Sequence, residues 1–118
     1  MAEPVDEAGV VRAIMRAVKA KYPDSFVWKV HGGPYQGSGQ PDLAMCVHGL
    51  YVGIEVKHQK PGESEKHARS RATPGQRQKI KEIIKAGGIA GVALNVPEAL
   101  EIIERGLKRL RERIESGT

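Results

Sequence analysis

The sequence has one cysteine, few aromatic residues and no long apolar run. Cys46 alone cannot form an internal disulfide or a cysteine-rich zinc module, which favours a reducing, intracellular setting. Aromatic residues make up 4% of the chain, so the core must rest on Val, Ile, Leu and Ala. No apolar stretch approaches the roughly 18 residues of a membrane helix, and the N-terminus lacks a signal-peptide pattern. At 118 residues, we expect a single domain over 1–118.

The positive charge is concentrated in one part of the chain. The net charge is +5, but the stretch from Lys57 to Lys85 holds nine Lys or Arg and three acids, a net charge of +6. A local basic stretch predicts a polyanionic partner such as DNA. Charge alone is equally compatible with a solvated helix face. The residues expected to contact DNA are Lys60, Lys66, Arg69, Arg71 and Arg77.

Apolar periodicity and turn residues predict an α/β fold with a mixed sheet flanked by helices. Two β-rich runs, 43–47 and 50–56, flank His48-Gly49 and should form an antiparallel hairpin. Polar residues 58–72 lack periodicity and are predicted to be a loop. The other predicted elements are helix 6–21, strand 26–30, helix 73–86 with Thr73 as N-cap, strand 89–96 and a final helix from Pro97 to about Glu115.

Three polar residues fall where the hairpin would bring them together. Asp42 precedes the first hairpin strand, and Glu55 and Lys57 lie near the end of the second, on one face. Two carboxylates can hold a hard cation such as Mg²⁺ for phosphodiester hydrolysis. The lysine can steer the attacking water or stabilise charge on the phosphate. Each motif alone has a plainer interpretation, because Glu55 can be solvent-facing beside Lys57 and Asp42 can be a turn residue.

The motifs together resemble a known nuclease family. Pro41-Asp42, twelve intervening residues and Glu55-Val56-Lys57 are similar to the signature of the PD-(D/E)XK nuclease superfamily. Gly39-Gln40-Pro41-Asp42-Leu43, Thr73-Pro74-Gly75-Gln76 and the glycine-led stretch Gly87 to Val92 resemble more closely the virus-type replication-repair nuclease (VRR-NUC) domain. The likeness covers residues 6–100. It implies a restriction-endonuclease-like core, α-β-β-β-α-β, followed by a C-terminal helix.

The resemblance implies further site residues. Asp42 and Glu55 would bind Mg²⁺ or Mn²⁺ with the backbone carbonyl of Val56, and Lys57 would be the catalytic lysine. Gln76 matches a glutamine beside the metal site, although it can equally form a capping box with Thr73. Glu7 matches an acidic residue of the first helix, where a glutamate is also favoured by the helix dipole.

Weaker signals carry plainer interpretations. Cys46-Val47-His48 has no second ligand pair at metal-binding spacing, so an ordinary strand is expected. His31, His58 and His67 can contact phosphate, but surface histidines without a function are the favoured interpretation. The Gly32–Gly39 loop is not a P-loop, since it lacks Gly-Lys-Ser/Thr, and it either approaches DNA or moves freely.

The favoured function is a metal-dependent DNA endonuclease, and the resemblance implies branched substrates such as Holliday junctions. The alternatives are a nuclease for flaps or duplex ends, a catalytically silent DNA-binding module, and a scaffold domain unrelated to nucleic acids. A homodimer is also expected, because the final helix has an apolar seam at alternating spacings of three and four. The same seam can instead cover the sheet. Its residues are Leu100, Ile103, Leu107, Leu110 and Ile114.

Overall fold

The computed structural model describes residues 3–31 and 39–117, so most of the predicted Gly32–Gly39 loop lies outside the described residues. The described residues form four helices and four strands in the order that the sequence predicts, with one additional helix, α2 (Glu65–Ser70). The elements are α1 (Glu7–Lys21), β1 (Phe26–Lys29), β2 (Leu43–Val47), β3 (Leu50–Val56), α2 (Glu65–Ser70), α3 (Pro74–Lys85), β4 (Ile89–Ala93) and α4 (Val96–Glu115).

The strands form one mixed sheet in the order β1-β2-β3-β4. The first three strands are antiparallel neighbours, and β3 pairs with β4 in parallel. His48 and Gly49 both have positive φ, 51° and 81°, as a two-residue type I′ turn requires. This turn sets the register Val47↔Leu50 through Leu43↔Ile54, which confirms the predicted hairpin.

The core lies between one face of the sheet and helices α1 and α4. Alternate residues of β2 and β3 point to this face, and α1 contributes Val10, Val11, Ile14 and Val18. Ile103 of α4 is fully buried there, and Leu100 and Leu107 pack against the same core. These three members of the predicted seam therefore cover the sheet, whereas Ile114 is exposed. Within the described ranges, no helix combines the length and apolar character needed to cross a membrane.

Helix α3 covers part of the opposite face and fixes one wall of the candidate site. It packs on β3 and β4. A Cβ on Gly53 would lie 3.0 Å from Ile83 Cδ1, so the glycine allows α3 to approach β3 closely. Gly39, with φ of 86°, packs against the α3 N-terminus, where a Cβ would lie 2.5 Å from the Gly75 carbonyl carbon. The residues leading into Asp42 are thereby held against α3.

Two sequence predictions were wrong in detail. The segment 58–72 contains a helix, α2, because Ser64 caps it and Ala68 is buried beneath it. Six residues are too few to show apolar periodicity, so the pattern could not reveal it. Helix α4 begins at Val96 rather than Pro97, and Asn95 is its N-cap, accepting a hydrogen bond from Glu98 N. A helix that began at Pro97 would have had Val96 as its N-cap, and valine is a poor N-cap residue.

Candidate active site

Three carboxylates converge at one end of the sheet. Asp42 immediately precedes β2, and the pairing Leu43↔Ile54 places it opposite Glu55 of β3. Glu7, the first residue of α1, reaches the same place. One oxygen from each of the three side chains lies within 4.8 Å of the other two. The structure thus brings together two acids predicted from the hairpin and one implied by the resemblance.

Glu55 is the buried member of this cluster, with 1% of its surface exposed. Its Oε2 accepts a hydrogen bond from Gln76 Nε2 at 2.9 Å. Its Oε1 is buried and has no hydrogen-bond partner. Burial, with the nearby Asp42 carboxylate, raises the pKa of Glu55 to about 8, and Lys57 opposes the rise. A buried oxygen without a hydrogen bond destabilises the folded protein unless a ligand supplies the missing contact.

Asp42 is held by the backbone of β3. Its Oδ2 accepts a hydrogen bond from Val56 N at 2.7 Å. Continued by two residues past Leu43↔Ile54, the register places Pro41 opposite Val56, and proline has no N–H to donate to the Val56 carbonyl. The hairpin therefore fixes Asp42 in place and leaves the Val56 carbonyl without its usual ladder donor.

Lys57 follows β3 directly and its ammonium faces Glu55. Lys57 Nζ lies 3.4 Å from Glu55 Oε2, and the lysine side chain is largely shielded from solvent. The backbone N–H of Lys57 donates to Ala93 O at 3.1 Å, which extends the β3–β4 pairing past Val56. The β3–β4 pairing thus places the Lys57 ammonium beside the acidic cluster.

Gln76 contacts both Thr73 and Glu55. Its Oε1 accepts from Thr73 N at 2.8 Å, and Thr73 Oγ1 accepts from Gln76 N, which completes a capping box at the start of α3. Its Nε2 donates to Glu55. Because the cap fixes the amide, Gln76 holds one oxygen of Glu55 in position.

The donor set fits a hard divalent cation. Carboxylate and carbonyl oxygens are the ligands that Mg²⁺ and Mn²⁺ prefer. The unpartnered Oε1 of Glu55 is the observation that decides the fit, because an ion would satisfy it. Among the described residues, this is the one group of three or more acid, histidine or cysteine side chains close enough to share an ion.

The predicted DNA-contacting residues divide into two groups. The three arginines have partners within the chain: Arg69 pairs with Glu98, Arg71 with Glu63 and the His58 carbonyl, and Arg77 donates to the Ala72 carbonyl. Lys60 and Lys66 are exposed and have no ion pair in the described part of the chain. The three arginines therefore stabilise the segment 58–77 through contacts within the chain.

Sequence reasoning missed the residue that organises segment 58–72. Glu63 accepts from Arg71 Nε and Nη2 at 3.0 and 2.9 Å and from Lys60 N at 3.0 Å. His67 Nδ1 lies 2.5 Å from the same carboxylate. Only the i,i+4 spacing of Glu63 and His67 could have hinted at this network.

Solved structures that are similar to this chain include two VRR_NUC proteins. One, a VRR_NUC domain, is 21% identical, with a TM-score of 0.55, and the match covers 80% of this chain and 94% of that one. The other, a VRR_NUC domain protein, is 22% identical, with a TM-score of 0.61, and the match covers 90% and 91% of the two chains. No family model matches the sequence, and no curated protein does. The motif resemblance is confirmed at the level of architecture: this chain has the fold of the VRR_NUC domain.

Proposed function

We propose that the protein is a divalent-metal-dependent deoxyribonuclease that hydrolyses phosphodiester bonds. The observation that carries the proposal is Glu55, a buried carboxylate with one oxygen unpartnered, among two further carboxylates within 4.8 Å. A domain that only binds DNA has no use for acids facing a phosphate, because they repel it. The acids become useful when a cation lies between them and the substrate.

Each site residue has a defined part in this proposal. Glu7, Asp42, Glu55 and the Val56 carbonyl would hold Mg²⁺ or Mn²⁺. When bound, such an ion supplies Lewis acidity at a phosphoryl oxygen and lowers the pKa of water. Gln76 keeps Glu55 Oε2 oriented, so that Oε1 faces the site. The Asp42 carboxylate keeps its position through Val56 N.

Lys57 supplies the positive charge that chemistry at phosphate needs. Its ammonium can donate a hydrogen bond to the water or to a non-bridging oxygen as negative charge develops. The ion pair with Glu55 Oε2 keeps the lysine ammonium beside the acids and largely shielded from solvent. A group fixed in this way requires little reorganisation during the reaction, which is the basis of electrostatic catalysis.

The substrate is proposed to be branched DNA, such as a Holliday junction, cut by an endonucleolytic reaction. The support is the +6 stretch beside the site, with exposed Lys60 and Lys66, and the motif resemblance. A homodimer would place two sites on opposing strands of a two-fold-symmetric junction. Three residues of the α4 seam are used by the chain's own core, so a dimer would have to use another surface or the end of α4 near Ile114.

A cleavage panel tests the proposal. Equal concentrations of a four-way junction, a flap, a blunt duplex and a single strand are incubated with Mg²⁺, with Mn²⁺ or with EDTA. We expect cleavage of the junction that requires a divalent ion, and light scattering at micromolar concentration gives the mass of the species that cleaves. Preference for flaps or duplex ends would change the substrate but keep the activity. Binding without cleavage under every condition would support the silent module instead, and full activity in EDTA would exclude metal dependence.

A further inference from the structure

The sheet face that carries Glu55 also carries an exposed aromatic surface. Directly paired residues of neighbouring strands point to the same side, so Phe26, Cys46 and Tyr51 form one row, and Trp28, Ala44 and Gly53 form the next. Asp42 and Glu55 follow in the same alternation. Trp28 therefore lies one same-face row, about 7 Å along the strands, from the acidic cluster.

These rings are exposed although the chain has few of them. Phe26 is 66% exposed, Trp28 38% and Tyr51 41%. Three of the chain's five aromatic residues other than histidine thus face solvent on one side of the sheet. The Phe26 and Trp28 rings contact each other with centroids 5.0 Å apart. Val27, between them, packs on the core instead, so β1 does not need either ring for its own burial.

Lys29 lies on the other side of β1. It pairs with Leu43, so it alternates with the rings and shares the side of Val27. It is exposed, and a lysine on an edge strand opposes pairing of that edge with a second copy of the same strand. The rings therefore stay open to a different ligand, at the margin of a site proposed to act on a phosphodiester.

We propose that Phe26 and Trp28 bind unpaired nucleobases of the DNA strand that enters the acidic site. The inference rests on the proposed nuclease function and narrows its substrate to DNA with unpaired nucleotides near the cleaved bond. Exposed rings on a sheet stack against the faces of bases, and those faces are accessible only where the bases are unpaired. The shared sheet face places the rings beside the acidic cluster that would act on the same strand.

The single tryptophan reports on its own contact. Trp28 is the one tryptophan of the chain, so its fluorescence can be followed without labels. The protein in EDTA is titrated with a short single strand and with a blunt duplex of the same sequence. We expect saturable quenching with the single strand and little with the duplex. Equal quenching by both, or a signal that varies with protein concentration when no DNA is present, would overturn the proposal; the second result would assign the face to another copy of the chain.

Substitutions separate stacking from general apolar contact. Binding of the variants is followed by the fluorescence anisotropy of a labelled single strand, because the Trp28 variants lack the tryptophan. Trp28→Leu and Phe26→Ala should each weaken this binding by roughly tenfold, as for other base-stacking side chains. Trp28→Phe and Phe26→Tyr should bind as the unmodified protein does, because each keeps an aromatic face. Both rings are partly or largely exposed, so the fold should tolerate these changes, and thermal melting checks this. Unchanged affinity of Trp28→Leu and Phe26→Ala would overturn the proposal.

Lys29→Ala is the matched control, because it changes the same strand on its opposite side. It should leave single-strand affinity and the amplitude of Trp28 quenching close to those of the unmodified protein, and a loss as large as that of Trp28→Leu would overturn the proposal. The ring variants should leave the salt dependence of binding unaltered, and a lower slope in them would contradict stacking. Quenching without cleavage of any DNA would support the stacking surface and count against the nuclease. Cleavage with ring variants that bind normally would support the nuclease and overturn the surface.

Discussion

Glu55 and Glu63 are both shielded from solvent but have opposite surroundings. Glu63 receives hydrogen bonds from Arg71 and Lys60 N and contacts His67, and these contacts, led by Arg71, lower its pKa to about 2. Glu55 has Gln76 on one oxygen and no partner on the other, and its pKa is raised to about 8. The first carboxylate is satisfied by the chain and stabilises it. The second keeps a buried oxygen without a hydrogen bond, which the proposed metal ion would complete.

The largest expected effect comes from removing a charge at the acidic cluster. Asp42→Asn keeps the side-chain size and an oxygen that can accept from Val56 N. It should abolish cleavage while DNA binding and folding stay close to normal, because the carboxylate is proposed to act on a cation. Single-turnover cleavage and fluorescence anisotropy measure the two properties. Glu63→Gln is the matched control. A comparable loss of cleavage in that variant would show that the acidic cluster has no special part in cleavage.

Lys57→Ala should reduce the rate next most strongly. We expect a fall of about 10²–10³-fold in turnover with a much smaller change in DNA affinity, because its proposed contact forms as charge develops. Measured single-turnover rates at saturating enzyme separate the two. If affinity fell and the rate at saturation did not, Lys57 would be a ground-state phosphate contact.

The hairpin explains how much of this site could be predicted from sequence. His48-Gly49 fixes the turn, the turn fixes the register, and the register brings Asp42 to Glu55. The unpartnered state of Glu55 Oε1 was not predictable, because it depends on how α1 and α3 pack around β3. The exposure of Phe26 and Trp28 was not predictable either, since a short strand of Phe, Val and Trp is typical of a core. Helix α2 depends on Ser64 and on the Glu63–Arg71 contact, which no periodicity marks.

One control variant, Thr73→Ala, separates the two contacts of Gln76. Gln76→Ala removes both the capping contact and the hydrogen bond to Glu55, whereas Thr73→Ala removes the cap alone. Both should lose stability, by about 1 kcal/mol for Thr73→Ala. Only Gln76→Ala should also lower metal affinity, by roughly 10–100-fold, as for other residues that orient a ligand. Equal metal affinity in both variants would limit Gln76 to capping.

The pH dependence of stability has opposite signs at the two glutamates. The folded protein keeps a proton on Glu55 between the ordinary pKa of 4.5 and about 8, so this group lowers stability as pH rises through that window. Glu63 is charged in the folded state down to about pH 2, so its contribution is present above 4.5 and lost as pH falls toward 2.

Melting curves in EDTA can separate these two contributions. Glu55→Gln should remove the decline between pH 5 and 8, a window set by the raised pKa of Glu55. Glu63→Gln should remove part of the acid loss, below the ordinary pKa of 4.5. A Glu55→Gln protein whose melting temperature still fell over the upper window would assign that decline to other groups.

Calorimetric titration with Mn²⁺ determines whether a divalent ion completes Glu55. We expect binding at the site formed by Glu7, Asp42 and Glu55, with release of a proton near pH 7, because the raised pKa of Glu55 keeps it protonated in the free protein. The proton is detected by repeating the titration in buffers of different ionisation enthalpy. Binding should be lost in Asp42→Asn and Glu55→Gln and retained in Glu63→Gln. Absence of Mn²⁺ binding, or equal binding in all three variants, would show that Glu55 holds no divalent ion.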